Sequence, residues 1–438
     1  METKTHVDRV DVRTLWLLMG AMAIAGSGGG FEVPLVVKIT GFYGVSDGDF
    51  GLMLGLTTLV MGVASVPWGY WTDKFKRTTL LLISMSFISI CMLASACCLW
   101  WDLPFWVYFA IKLLFGAGVA GIGPVSNSMI MDSIPRPQRG AAFGWFGVAF
   151  GGGGALAMLA TSAAMQLNLS LSLTYLLGGI VQAVFFLALF WLPEPRRGAQ
   201  DEALHDAVCV GQADYGYKIE LPDLMALLRR PINLLVAASA VFSAFAPAVL
   251  TIWFVTFAMR NHGLTELTAT ILTMVAFSGQ PVGSVIGGIL ADRAYQWKRT
   301  GRVLVMILTA ALTPAFIVAA FLLPFKLFPF VPLMVLANLF IIAGGPALVA
   351  VSLEVNLPEH RGTITAFYLL CGSVSVGLAW LIPPLVAEAF GGDYQYALLM
   401  SAAAYPPLIV AYLFIHARIV KDLDYVNDVL AERAKKIQ

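Results

Sequence analysis

The chain has 438 residues, 59% of them hydrophobic and 12% charged, with a net charge of +1. Soluble domains carry about 25% charged residues, so too few remain here to cover an aqueous surface, and the balanced charge excludes a nucleic-acid-binding protein. The composition is that of an integral membrane protein.

The first residues are polar, with Lys4, Arg9 and Arg13 among them, and lead directly into an apolar stretch, the pattern of a first span with no cleaved signal before it. Apolar stretches near the length that crosses a hydrocarbon core then recur at 14–38, 50–71, 78–101, 105–132, 141–165 and 171–192. After a polar interval they resume at 232–258, 266–290, 303–323, 331–355, 363–387 and 394–416. The expectation is an all-α membrane protein with twelve transmembrane helices. A β-barrel is excluded, because barrel strands are about ten residues of alternating polarity and 78–101 is apolar on every face.

The polar interval divides the chain into an N-terminal six-helix bundle (1–193), a loop (194–231), a C-terminal six-helix bundle (232–417) and a C-terminal helix (418–438). Within the loop, 221–230 has leucines at helical spacing and a basic end, which predicts a helix lying flat on the inner leaflet. In the last segment Ile419, Leu423, Val426 and Leu430 make one apolar stripe, that of an interfacial or packing helix. Most of the 27 Lys and Arg fall in loops on one side, against Lys38, Arg260 and Lys326 on the other, with Lys112 inside a span. The positive-inside rule then puts both termini in the cytoplasm. The five cysteines are odd in number and scattered, fitting neither a disulfide framework nor a metal site.

The halves echo each other. Gly69 and Asp73-Lys74 after the second span match Gly288 and Asp292-Arg293 after the eighth, and Asp132 before Arg139-Gly140 matches Glu354 before Arg361-Gly362. Two six-helix units in a parallel repeat mark a transporter whose site lies between them near midplane. With these motifs the chain resembles the major facilitator superfamily. GYWTDKFKRT at 69–78 is similar to that group's Gly-x-Leu-Ala-Asp-Arg-x-Gly-Arg-Arg signature, with Lys76 in place of the second glycine. Lys112 four residues before Gly116 is similar to its Arg-x-x-x-Gly signature. The segments SDGDFGLMLG at 46–55 and WFVTFAMR at 253–260 also resemble the Spinster-type lipid transporters, whose Asp-Arg pair would fall at Gly28-Gly29 and is not carried over.

Glu32 and Lys112 are the charges well inside spans. At 1.5 Å per residue both sit roughly 9–10 Å below the same face. A lone charge at such depth costs about 2.5–3.5 kcal/mol, so the two are expected to pair. The resemblance implies that spans 1 and 4 line a central cavity; Glu32 would then carry protons and Lys112 would hold an anionic cargo, the bland alternative being a static ion pair. Asn127, Gln280, Asn338 and Tyr368 are the further cargo candidates, each of which could equally be a helix-packing group. Asp73, Arg77, Asp132, Arg139, Asp292, Arg293, Glu354 and Arg361 lie at the cytoplasmic rim, where the resemblance implies a gate built from acids near helix N-termini and acid–base pairs. The glycine runs 26–30 and 151–154 lack the Lys-Ser/Thr of a phosphate loop and are read as close helix approach, 26–30 also as a mobile break before Pro34.

No nucleophile–base set, metal cluster or nucleotide motif is present, so no enzyme, cofactor or metal is expected and a gradient must drive any transport. The expected function is secondary active transport of a small organic or amphipathic anion, lipid-like or a monocarboxylate, coupled to protons by alternating access; an uncoupled uniporter is the rival. The expected setting is a monomer in the bacterial inner membrane whose partners are its cargo, protons and the bilayer.

Overall fold

The computed structural model of the chain describes residues 12–45, 47–200, 217, 221–323 and 325–437. Twelve helices in it are long and apolar enough to cross a membrane. Spans 1 to 6 are Val12–Glu32, Leu52–Lys74, Arg77–Trp100, Phe105–Ser133, Arg136–Met165 and Leu171–Trp191. Spans 7 to 12 are Pro231–Thr251, Ile271–Trp297, Gly301–Leu322, Phe328–Glu354, Pro358–Ala379 and Tyr394–Lys435. Helices satisfy their own backbone groups, which lipid cannot do, and no strand occurs among the described residues.

Each half has its own core. One cluster runs from Leu18 to Leu192, joined by Ala350 and Leu353 of span 10, and the other from Ile232 to Leu423. Small residues set the helix spacing. A Cβ on Gly26 would lie 1.8 Å from the Phe150 carbonyl oxygen and one on Gly30 2.0 Å from that of Gly154, so spans 1 and 5 touch backbone to backbone. Gly279, Gly283 and Gly287 of span 8 press in the same way on the carbonyls of Val335, Leu339 and Ala343 in span 10.

Two expectations change. Span 1 stays helical through the glycine run, and the irregular turn falls later, at Val33–Leu35 around Pro34, whose ring removes a backbone donor. The C-terminal helix is no separate element: Tyr405–Ile437 is continuous, and its stripe of Ile419, Leu423, Val426 and Leu430 is buried, the last two against Leu357 and Ala199. In the helix Leu221–Leu228, Leu227 packs on Ile364 of span 11 beside Tyr70 of span 2. His205 and Cys209 lie outside the described residues.

The charge-rich loops gather at one end of both bundles, called here the basic end. Because a side chain at Gly26 would meet backbone while one at Gly29 meets nothing within 4 Å, Gly26→Val should lower the thermal midpoint in detergent and Gly29→Val should not. Overpacking costs about 1–3 kcal/mol. Equal midpoints for the two variants would show that the close approach does not hold the bundle.

Candidate functional site

At the basic end the two bundles are joined by a pair of reciprocal helix caps. Asp73, at the end of span 2, accepts hydrogen bonds from the backbone N–H groups of Gly362 and Thr363, both at 2.7 Å, at the start of span 11. Asp292, at the end of span 8, accepts from Gly140 N at 3.0 Å and Ala141 N at 2.8 Å, at the start of span 5. Each carboxylate thus satisfies orphan donors of a helix in the opposite bundle and sits at the positive end of its dipole. Gly140 and Gly362 are required here, because a Cβ on either would lie within 2.9 Å of the facing carboxylate or backbone.

Around these caps the arginines cross over. Arg77 pairs with Asp132 inside the N-terminal bundle, and Arg361 of span 11 reaches the same carboxylate at 2.8 Å. In the other half Arg302 pairs with Glu354 at 2.6 Å and with Asp292 at 2.7 Å, while Arg139 of span 5 approaches Glu354 to 3.7 Å. Arg77, Arg139, Arg302 and Arg361 are all fully buried. Such groups hold together only because each charge faces an opposite one; removing one partner of a buried pair costs about 3–5 kcal/mol.

The start of the inter-bundle loop belongs to this network. Glu194 receives Arg77 Nε at 2.9 Å and Thr78 N at 2.8 Å, Arg197 donates to the carbonyls of Thr72 and Phe75, and Gly198 N donates to Asp132 at 3.0 Å. Burial pushes the Glu194 carboxyl up, but the Arg77 charge and the Thr78 donor outweigh it and hold it below the usual carboxylate range. Burial and the nearby Arg77 charge lower Arg197.

Away from the basic end the bundles part. A Cβ on Gly62 of span 2 would lie 2.0 Å from Ser373 Oγ of span 11, yet one on Gly55, two turns further on, meets nothing within 4 Å. Gly144 of span 5 presses on the Ser284 carbonyl of span 8 at 2.6 Å, and Gly151, again two turns on, meets nothing within 4 Å. The result is a cleft closed at the basic end and open towards the other.

Glu32 and Lys112 are brought together as an ion pair. They do not stand free in the cleft, however: Glu32 is 6% and Lys112 4% exposed. The Lys112 ammonium lies over the rings of Tyr108, Phe115 and Tyr175 at 5.4, 5.2 and 4.7 Å. The hydroxyls of Tyr108 and Tyr175 share a hydrogen bond at 2.6 Å and each lies 3.4 Å from Glu32 Oε1, so one hydroxyl donates to its neighbour and the other to the carboxylate. Gly29, about one turn before Glu32 on the same helix, is exposed.

Gln280 donates to Asn338 at 2.8 Å, and Asn338 donates on to the Met334 carbonyl, so these two tie span 8 to span 10. Asn127 is half-buried with no hydrogen-bond partner among the described residues. Tyr368 borders a cavity of about 220 Å³ inside the C-terminal bundle. Arg293 stands apart from the network. It is exposed and has no ion-pair partner among the described residues, because it follows Asp292 by one position and points about 100° away around the helix. Arg302, in the first turn of span 9 as Arg77 is in span 3, takes its place. Sequence reasoning also passed over Glu194, Arg197, Tyr108 and Tyr175; only Tyr108 left a signal, four residues before Lys112 on one helix face.

A family model described as the Major Facilitator Superfamily matches residues 15–380. Protein spinster homolog 1 of Xenopus tropicalis is 26% identical over 224 residues, which is 50% of this chain and 40% of that protein. The class B tetracycline resistance protein of Escherichia coli is 36% identical over 104 residues, 23% of this chain and 24% of the other. The matches span about two fifths of the length of the spinster relatives. Among solved structures, the E. coli fucose:proton symporter FucP superposes with a TM-score of 0.71 at 11% identity, over 93% of this chain and 99% of that one. The proton:xylose symporter XylE gives 0.71 at 15% identity, over 93% and 95%. Identity this low speaks for the fold alone.

The caps make a measurable prediction. A side-chain cap is worth about 0.5–2 kcal/mol against alanine, so in Asp73→Ala the amides of Gly362 and Thr363 should exchange with solvent hydrogen several-fold to about 30-fold faster. Hydrogen-exchange mass spectrometry reads this directly. Wild-type protection of those amides in the variant would mean that the carboxylate does not hold the ends together.

Proposed function

We propose, from the premise that this chain belongs to the major facilitator superfamily, that it is a proton-coupled secondary transporter carrying a small organic or amphipathic anion by alternating access. The observation that carries this reading is the doubled cap: Asp73 on span 11 and Asp292 on span 5 join the bundles at one end only. Bonds of this kind close one mouth and can be exchanged for water when the bundles rock, which is what a two-state gate requires. The excess of basic residues assigns that end to the cytoplasm. The state described is then outward-facing, and the protein works as a monomer.

Proton coupling rests on the Glu32–Lys112 pair. While both are charged the pair is neutral; a proton taken up by the Glu32 carboxyl leaves Lys112 with an uncompensated charge and makes an anionic cargo group its natural partner. Tyr108 and Tyr175 keep the carboxylate hydrogen-bonded while water reaches it from the side of Gly29. The scarcity of polar groups along the spans favours a lipid-like or monocarboxylate solute over a sugar. A second reading, an uncoupled uniporter, is favoured by the enclosure of the pair, which could be a static strut within its bundle.

The discriminating measurement uses purified protein in liposomes. A thermal-shift screen of lysolipids, fatty acids and short monocarboxylates identifies a cargo by the stabilisation that binding brings. Uptake of that compound should then be concentrated by an imposed pH gradient in wild type; Glu32→Gln should lose the accumulation and keep exchange. Accumulation at the wild-type level in Glu32→Gln would remove Glu32 as the proton carrier, and uptake that never exceeds equilibrium in wild type would establish the uniporter.

A further inference from the structure

Spans 4 and 10 are interrupted at the same place in the repeat. Helix Phe105–Val119 gives way to Ile122–Ser133, and Leu327–Ala343 to Gly345–Glu354. Ala120 and Gly121 in span 4 and Gly344 in span 10 keep right-handed helical dihedrals, so each span continues through its break without unwinding. The two are treated differently here. In the N-terminal bundle Trp68 fills the gap: its ring lies 2.7 Å from the Cβ position of Gly121, and its Nε1 donates to the Ala117 carbonyl at 2.9 Å. The repeat places Gly287 at the position of Trp68 in the other half. No indole fills the second gap. A Cβ on Gly345 meets nothing within 4 Å, and the interruption borders the cavity of about 220 Å³.

That cavity draws on spans 7, 9, 10, 11 and 12, through Ser243, Thr309, Gly345, Tyr368, Tyr405 and Tyr412 among others, and no charged residue lines it. Ser243 donates to the Ala240 carbonyl, leaving the Tyr368 and Tyr405 rings beside it in the lining. Tyr412 is 3% exposed and has no hydrogen-bond partner among the described residues. That hydroxyl borders the cavity and is free to bond a ligand oxygen. As for size, a cavity of about 150 Å³ holds benzene, so this one has room for a single ring with a short substituent.

We propose that the cavity at the interruption of span 10 is a binding site for an uncharged monocyclic aromatic group bearing one oxygen that hydrogen-bonds to Tyr412. This rests on the transporter reading above and specifies one end of its cargo: the ring enters the C-terminal bundle while the charged end stays towards Lys112. The aromatic walls supply contact area, Tyr412 supplies direction, and the absence of a charged lining rejects an ionised ring.

The test is equilibrium binding to the purified full chain, read as a saturable thermal shift, with 4-ethylphenol, ethylbenzene and 4-ethylbenzoate as probes. Wild type should bind 4-ethylphenol best and 4-ethylbenzoate least. Tyr412→Phe, which keeps the ring, should weaken 4-ethylphenol about fivefold, the worth of one neutral hydrogen bond, and leave ethylbenzene unchanged. Gly345→Leu, which grows a side chain into the space, should weaken both neutral probes at least tenfold. If Tyr412→Phe leaves the ratio of 4-ethylphenol to ethylbenzene affinity as in wild type, or if 4-ethylbenzoate binds as tightly as 4-ethylphenol, the assignment falls. Because binding and transport are measured separately, the two readings fail differently. The predicted probe pattern without any cargo movement in liposomes would sink the transporter and support the site; concentrated uptake by a protein that binds none of the probes would sink the site alone.

Discussion

A carboxylate seated on the first turn of a helix from the other half is the contact on which this architecture turns. Asp73 and Asp292 each take two backbone donors that their target helix cannot satisfy itself, so closing the basic end removes the desolvation cost of four N–H groups at once. The arrangement also explains why Gly140 and Gly362 follow buried arginines. The arginine turns back to an acid of the opposite bundle, Glu354 or Asp132, and the glycine lets the capping carboxylate reach the amides.

Buried charges of this kind are poor adhesives, because the desolvation of each ion offsets most of the attraction. They are good switches for the same reason. Water entering a parted gate recovers much of what the pairs provided, so the closed and open forms can lie close in free energy, whereas an apolar seam of equal area would lock. The loop after span 6 adds a further constraint: through Glu194, Arg197 and Gly198 it is tied to Arg77, span 2 and Asp132. Any rocking of the bundles must carry it along or tear it away.

The Glu32–Lys112 pair is different in kind. It lies inside one bundle, caged by Tyr108, Phe115 and Tyr175, so it does not cement the halves. Rings facing an ammonium and hydroxyls facing a carboxylate divide the solvation of the pair between two kinds of partner.

Much of this was legible along the chain. Span count, the repeat and the pairing of Glu32 with Lys112 follow from lipid itself, which forces every segment to be helical, apolar for a fixed length and free of lone charges; a linear pattern records all three. The acids that join the bundles were legible too, since the doubled motif repeats them. What a sequence does not record is which way a side chain turns and what stands opposite it. Arg293 and Arg302 are both basic residues near one loop, yet only Arg302 points at Glu354, because direction around a helix axis acquires meaning once a neighbour is placed there. The aromatic cage, the loop threaded through the gate and the unpaired Tyr412 hydroxyl arise from contacts between segments far apart in the chain, so the tertiary packing alone decided them.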